Sequence, residues 1–265
     1  MRDFCQNLVV LGKIDAILRF STKVRKGGIW VQKKSKNAVL LLLVLLVVQL
    51  ALLLYLCSKQ FEGQSTSLID FTIVIDAGHG GIDGGVVAPD GTKESDLNLV
   101  YAKALGNIAQ DAGFNVLYTR TSSGGLYGLP TKGFKMRDMI ARKKVVDASN
   151  ANLVISIHMN KFADSRQHGP QVFYQRGSDL SFELASSVQK VLNSFANTNR
   201  TTQSGDYYIC REVACPSIIV ECGFFSNATD VANLLDEQYQ QQMCENIFAG
   251  VMLYLYSCGG GMSNS

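Results

Sequence analysis

Histidine is scarce in this sequence, and its spacing excludes a large class of metalloenzymes. Only three histidines occur among the 265 residues, at His79, His158 and His168. No two of them are four residues apart, so the chain cannot form the HExxH helix with which many metalloproteases bind zinc. A phosphate-binding loop is excluded as well, because Asp83 breaks the GxGxxG spacing after the first predicted strand and no GxxxxGK[ST] follows.

Cysteine is also sparse and follows no recognisable pattern. The chain has seven cysteines, with no CxxC pair and no zinc-ribbon spacing. Five of them follow residue 200, and this odd number argues against a disulfide framework. We therefore expect the cysteines of this region to be free thiols that pack as small apolar side chains.

One long segment contains no charged residue at all. Residues 38–57 are twenty residues in which Gln49 interrupts an otherwise apolar run. At about 1.5 Å per residue, such a helix would cross the ~30 Å hydrocarbon core of a bilayer. The residues after Leu56 offer no small-residue cleavage site, so we predict an uncleaved transmembrane anchor and not a signal peptide.

The distribution of charge predicts the orientation of this anchor. Residues 1–37 carry nine Lys and Arg against two Asp, whereas residues 58–265 carry 16 basic and 20 acidic residues. Because basic flanks stay in the cytoplasm, we predict a cytoplasmic tail and an extracytoplasmic C-terminal region. The basic tail is expected to lie against anionic lipid, so no nucleic-acid partner is predicted from the positive net charge.

The remainder of the chain alternates between strand and helix patterns. Strands are predicted at 71–76, 114–119, 153–157, 171–174, 207–210 and 217–221, and helices at 95–113, 136–148, 180–195, 228–235 and 237–256. This alternation predicts a three-layer α/β/α domain with a mostly parallel, mixed central sheet. The chain is thus divided into a basic tail (1–37), a transmembrane anchor (38–57), a linker (58–70), the α/β domain (71–257) and a flexible tail (258–265).

Two of the three histidines stand where a predicted strand ends. His79 follows the first strand and His158 follows the third. The carboxyl ends of parallel strands meet at one edge of a sheet, where ligands and metals bind in α/β folds. Either histidine alone could be a hydrogen-bonded core residue, but the pair favours a site for zinc, which binds imidazole nitrogens together with a carboxylate. The carboxylates near His79 that could complete the site are Asp83, Asp90, Glu94 and Asp96.

A carboxylate also ends the last predicted strand. Glu221 follows an apolar run, where an unpartnered charge would be costly to desolvate. Strand alternation places Glu221 and Cys222 on opposite faces, so a thiol nucleophile is not expected if Glu221 faces the metal. A carboxylate beside a metal suits a general base, and a salt-bridged strand end is the structural alternative.

Four motifs resemble those of the zinc-dependent N-acetylmuramoyl-L-alanine amidases, the Amidase_3 family of peptidoglycan hydrolases. Residues 75–81 are similar to the first metal motif of that family, with Ala77 where proline is common. Residues 93–95 fall where its metal-binding glutamate lies, 156–160 resemble its second histidine motif, and 220–227 resemble its catalytic glutamate motif. The resemblance implies that zinc is bound by His79, Glu94 and His158, with Glu221 as the catalytic base.

The family resemblance also implies a substrate and a setting. It implies hydrolysis of the amide bond between N-acetylmuramic acid and the L-alanine of peptidoglycan stem peptides. The predicted anchor, the absence of wall-binding repeats and the insert at 129–134 look like the sporulation and germination subgroup, which acts in spore cortex maturation through muramic δ-lactam formation. A sporulation protein partner can be envisaged for this chain, but the sequence does not identify it. Two alternatives remain: a membrane-anchored zinc metallopeptidase of related fold, and a catalytically silent wall-binding scaffold.

Overall fold

The computed structural model describes residues 22–26, 29–33, 40, 43–53, 55 and 70–260, which fall into two compact units, Met1–Ser65 and Thr66–Ser265. In the first unit, β1 (Thr22–Lys26) and β2 (Ile29–Lys33) form an antiparallel hairpin, and residues 43–53 are helical with exposed side chains. No helix among the described residues is long and apolar enough to cross a bilayer. Part of the segment 38–57 lies outside the described residues, so the transmembrane anchor stays a prediction.

The second unit is built around a six-stranded mixed sheet. Its strands are β3 (Thr72–Ala77), β4 (Asn115–Tyr118), β5 (Leu153–Asn160), β6 (Gln171–Gln175), β7 (Gln203–Gly205) and β8 (Ser217–Phe224). Their order across the sheet is β4-β3-β5-β8-β6-β7. Neighbouring strands are parallel except for β6 and β8, which pair antiparallel, so the predicted mostly parallel sheet is confirmed.

Helices cover both faces of this sheet, which confirms the predicted three layers. The helices are α1 (Glu94–Asp111), α2 (Phe134–Asp147), α3 (Asp179–Ala196), α4 (Tyr208–Arg211), α5 (Ala228–Leu235) and α6 (Glu237–Gly260). On one face, α1, α3 and α6 bury residues such as Leu105, Leu192 and Ile247 against the strands. On the other face, Val146 of α2 and Ile209 of α4 pack against the strands in a smaller cluster. Apolar burial on both sides accounts for the continuous β-branched runs of the central strands.

Three local predictions differ from the structure. The predicted strand 207–210 is wrong: β7 lies earlier, and Tyr208–Arg211 form one helical turn. Ile209 and Cys210 are both buried in one cluster, which a helical turn permits and the face alternation of a strand does not. Helix α1 begins at Glu94, and Ser95 is a buried first-turn residue, not the cap. Helix α6 continues to Gly260, three residues into the predicted tail, and residues 261–265 lie outside the described ones.

The cysteines of this unit are free thiols, as the spacing predicts. Cys210, Cys222 and Cys244 are buried, and Cys215 and Cys258 are half-buried. Cys222 belongs to the larger apolar cluster, on the face of β8 opposite to Glu221, and burial raises its thiol pKa well above the ordinary value. A nucleophilic thiol at this position is therefore excluded.

Candidate metal centre and active site

The carboxyl ends of β3, β5 and β8 bring the predicted site residues to one edge of the sheet. Ala77 ends β3 immediately before Gly78 and His79, and its register partner on β5 is Ile157, next to His158. His158 is in turn the register partner of Glu221 on β8. One cavity of about 270 Å³ is thus lined by His79, His158 and Glu221, although His79 and Glu221 are 142 positions apart in the chain.

The backbone between β3 and the cavity turns sharply to present His79. His79 has a φ of 61°, a left-handed conformation that costs a residue with a Cβ about 1 kcal/mol or more. Gly78 precedes it because a Cβ there would lie 2.2 Å from the imidazole of His158. Such a loop needs firm anchoring, since neither feature is intrinsically favourable.

Two buried arginines supply that anchoring. Arg142 of α2 donates hydrogen bonds to the carbonyl oxygens of Ala77 and His79, at 2.6 Å and 2.5 Å. Arg120, after β4, donates to the carbonyl oxygens of Ala77 and Gly78, at 2.8 Å and 2.9 Å. Each carbonyl of the turn therefore accepts a charge-assisted hydrogen bond, which is stronger than a neutral one.

Carboxylates neutralise Arg142. Its guanidinium forms ion pairs with Asp76 at 2.7 Å and with Asp138 at 2.6 Å, and it is completely buried. Burial raises the pKa of Asp76, but the charge of Arg142 and hydrogen bonds from Ser156 and Thr119 outweigh it and lower the pKa to about 2. The turn that carries His79 is thus supported by a fixed, ionised network.

His79, Glu94 and His158 converge into one ligand set. Glu94 Oε1 lies 3.3 Å from Nε2 of His79 and 2.9 Å from Nδ1 of His158, and one ligand atom from each residue lies within 4.8 Å of the others. Glu94 comes from the first turn of α1 and is buried. Two imidazoles and a carboxylate are the donor set of many catalytic zinc sites, so the residues present fit such a metal.

The surroundings of Glu94 stabilise the ionised form of its carboxyl group. Burial raises its pKa, but hydrogen bonds and charges of His158 and His79 outweigh burial and hold the pKa far below the ordinary value. The backbone N–H of Val86 donates to its second oxygen at 2.9 Å, and Met159 N–H donates to the first at 3.2 Å. A carboxylate held in this way is oriented before any metal arrives.

The remaining carboxylates of the loop have other roles. Asp83 lies 3.1 Å from Nδ1 of His79, so it orients the imidazole and leaves Nε2 directed at Glu94. Asp90 is exposed and accepts hydrogen bonds from Thr92, and Asp96 is exposed on α1. Glu94 is therefore the carboxylate that the fold brings to both histidines.

Glu221 faces the same cavity but is not part of the ligand cluster. Its Oε2 atom is buried and has no hydrogen-bond partner in the described part of the chain. Burial raises its pKa to about 7; the nearby His158 and His79 oppose this shift, and Glu94 adds to it. A buried polar atom without a partner is unfavourable in a resting protein, and at a site it marks a position that awaits a ligand or a proton.

Comparison with known proteins identifies the family. Residues 73–252, most of the α/β unit, match the Amidase_3 family of N-acetylmuramoyl-L-alanine amidases. The chain belongs to this family. The assignment favours an amidase over the metallopeptidase and scaffold alternatives, and the chain is an N-acetylmuramoyl-L-alanine amidase that acts on peptidoglycan.

Similar amidases support the assignment. The germination-specific N-acetylmuramoyl-L-alanine amidase of Bacillus subtilis is 32% identical over 219 residues, which cover 78% of this chain and 92% of that protein. The CwlD amidase of Clostridioides difficile, solved in complex with the GerS lipoprotein, has a TM-score of 0.68 and 34% identity, covering 71% of this chain and all of that one. The catalytic domain of the CwlV amidase from Bacillus (Paenibacillus) polymyxa has a TM-score of 0.62 and 30% identity, covering 70% of this amidase and 98% of that domain.

Several residues that support the amidase site could not be chosen from the sequence. Arg120 and Arg142 lie far from the motifs in the chain, and nothing in their spacing marks them as anchors of the His79 turn. Asn98, one turn after Glu94, donates to Gly78 O at 3.1 Å and reaches Glu94 Oε1 at 3.4 Å. The spacing of four residues on a predicted helix was the only available signal for Asn98.

Proposed function

We propose that this amidase uses zinc, held by His79, Glu94 and His158, with Glu221 as its general base. The observation that carries the proposal is the convergence of the three ligand side chains beside a buried Glu221 oxygen that has no partner. When bound, zinc would supply Lewis-acid chemistry that polarises the scissile carbonyl and acidifies water. The substrate bond is the amide between the lactyl carbonyl of N-acetylmuramic acid and the amine of L-alanine.

The protein's own contribution begins with the fixed geometry of the three ligands. Asp83 accepts a hydrogen bond from Nδ1–H of His79, which leaves the lone pair of Nε2 to bind a cation. Glu94 is already ionised and held by backbone N–H groups, so metal binding requires little rearrangement of this residue. His158 must release its Nδ1 hydrogen bond to Glu94 or bind through the other ring nitrogen.

Glu221 carries the proton in this proposal. Its carboxylate accepts a proton from the attacking water and returns it to the amine of L-alanine as that group leaves. A pKa near 7, caused mainly by burial, suits both steps, since the ideal catalytic pKa lies close to the working pH. Base catalysis of this kind contributes ~10²–10⁴-fold to the rate.

Replacing Glu221 by Gln tests this role. The substitution preserves the shape of the side chain and removes its basicity, so metal content should remain at one ion per chain while hydrolysis of muropeptides falls ~10²-fold or more. Glu245→Gln on the exposed surface of α6 is the matched control and should behave as wild type. Loss of the metal in Glu221→Gln would make Glu221 a ligand, and full activity would make it a structural strand end.

We further propose that the enzyme is anchored in the membrane by residues 38–57, with the catalytic region outside the cytoplasm. The support is the uncharged apolar run together with nine basic residues before it. Protease added to intact cells should digest the catalytic region and spare the tail 1–37. Digestion of the tail alone would overturn this topology.

Two relatives support a proposed role in spore cortex maturation. One is named germination-specific, and the other was solved in complex with a lipoprotein. We propose that this chain, too, removes stem peptides during cortex formation and binds a lipoprotein partner. Deleting its coding sequence should leave a cortex without muramic δ-lactam, and a normal δ-lactam content would contradict the role.

A further inference from the structure

A second cavity lies beside the catalytic one at the same edge of the sheet. It has a volume of about 230 Å³ and is lined by Asn160, Phe162, Phe173, Arg200 and Phe224, among others. Asn160 is two residues beyond His158 on β5, and Phe224 is its register partner on β8. The cavity therefore begins where the metal centre ends.

Arg200 brings a positive charge into this cavity without a matching negative one. Its guanidinium donates to Gln171 Oε1 at 3.1 Å, to Gln167 Oε1 at 3.2 Å and to the carbonyl oxygen of His168 at 2.8 Å. All three acceptors are neutral. Within the described part of the chain, Arg200 forms no ion pair, whereas Arg166, Arg211 and Arg142 each do.

The guanidinium is also held rigidly and retains spare donors. Its central carbon lies over the Phe224 ring, 4.8 Å from the ring centre, which is a cation–π contact. A guanidinium has five N–H donors, and the three hydrogen bonds leave two of them for a ligand. Asp230 attracts this charge from a distance, but its own carboxylate accepts hydrogen bonds from the backbone N–H groups of Gly169 and Phe224.

The position of Arg200 relative to Glu221 is defined by the sheet. Gln171, which accepts the hydrogen bond from Arg200, is the register partner of Glu221 across the β6–β8 pair. Arg200 therefore contacts the side chain of the residue that pairs with the proposed base on the neighbouring strand. An extended peptide rises about 3.3 Å per residue, so a stem leaving the catalytic cavity along this edge places its second residue about 7 Å onward.

From this juxtaposition we infer that Arg200 binds the free α-carboxylate of the second stem residue, D-glutamate, and so selects unamidated stems. The inference rests on the proposed function, since it assumes that the scissile bond lies at the metal centre. A planar guanidinium with two free donors matches a carboxylate, which accepts two parallel hydrogen bonds. The aromatic walls contributed by Phe162 and Phe173 suit the apolar parts of the peptide.

The test compares two synthetic muropeptides that differ only at the second stem residue, D-glutamate in one and D-isoglutamine in the other. Full-length wild type loaded with zinc should hydrolyse the free acid with a kcat/KM roughly 10-fold or more above the amide. Arg200→Gln should abolish this preference by raising KM for the free acid to the level of the amide. Arg166→Gln, which removes an exposed arginine from a neighbouring loop, should retain the preference.

A second variant separates recognition from folding. Gln167→Glu places a carboxylate against Arg200, at the position of an amide now 3.2 Å away, and should abolish the preference without removing the arginine. If wild type does not discriminate, or if both variants lower the two kcat/KM values equally, the inference is wrong. If neither muropeptide is cleaved, the proposed function fails. Selective calorimetric binding of L-Ala-D-Glu over L-Ala-D-isoGln, lost in Gln167→Glu, would then still support the subsite, and its absence would overturn it.

Discussion

The most informative perturbation away from the ligands is Arg142→Met. Methionine approximates the length of the arginine stem but removes the guanidinium that joins Asp76, Asp138 and the His79 carbonyl. Asp76 would keep hydrogen bonds from Thr119 and Ser156, but two buried carboxylates would lose their cation. The His79 carbonyl oxygen would lose the hydrogen bond that Arg142 donates, so the left-handed turn at His79 would be held less firmly.

The size of the effect follows from the burial of this network. Removing one partner of a buried ion pair costs ~3–5 kcal/mol, because the remaining charge stays desolvated. For a domain of 150–250 residues, each kcal/mol lowers the Tm by ~2–4 °C, so we expect a fall of about 10 °C. Metal affinity should fall on the order of 10-fold or more, because a ligand residue loses its support.

Thermal unfolding followed by circular dichroism, together with metal titration, measures both effects. Lys143→Met in the same helix is the control, because its ion pair with Asp147 is exposed and screened by solvent, so this variant should unfold close to wild type. Adding Asp76→Asn to Arg142→Met should recover part of the loss, since it removes the unpaired charge. If the free energy of unfolding of Arg142→Met lies within about 1 kcal/mol of wild type and metal binding is unchanged, the buried network does not support the His79 turn.

Three further outcomes are expected. His158→Ala should lose stoichiometric metal, because two ligands hold zinc poorly, and elemental analysis showing one ion per chain would contradict the ligand assignment. Because the pKa of Asp76 falls from 3.8 to about 2 on folding, its ionised carboxylate stabilises the fold above pH 4, and this contribution is lost as the pH falls through about 2. The free energy of unfolding of Asp76→Asn should therefore depend less on pH between about 4 and 2 than that of wild type. An unchanged pH dependence would show that Asp76 does not contribute in this way. Asp83→Asn should weaken metal binding ~10-fold while the fold stays intact, and unchanged affinity would show that Asp83 does not orient His79.

The site at the edge of the sheet could be predicted from the sequence because each residue that marks it stands next to a recognisable strand. His79, His158 and Glu221 each follow an apolar β-branched run, and parallel strands must place such ends together. Glu94 was different, because several carboxylates had equivalent spacing and only the family resemblance distinguished it. In the structure, Glu94 lies in the first turn of α1, and this position places its carboxylate between the two histidines.

The supporting network could not be predicted for a physical reason. Arginine is rarely buried, and neither Arg120 nor Arg142 lies in a sequence pattern that reveals burial. Their role depends on contacts over 42 to 66 positions along the chain, which only the tertiary fold creates. The same limit explains the misassigned turn at Tyr208–Arg211, where short apolar runs do not distinguish a helical turn from a strand.

We propose that a metal centre formed by His79, Glu94 and His158 hydrolyses the bond between muramic acid and L-alanine. Its most direct test is digestion of purified peptidoglycan by the zinc-loaded enzyme, with mass spectrometry of the released peptides. We expect stem peptides that begin with an intact L-alanine, that are absent after chelation and that reappear when zinc is added. Peptides that begin inside the stem, or release that continues unchanged without the metal, would contradict it.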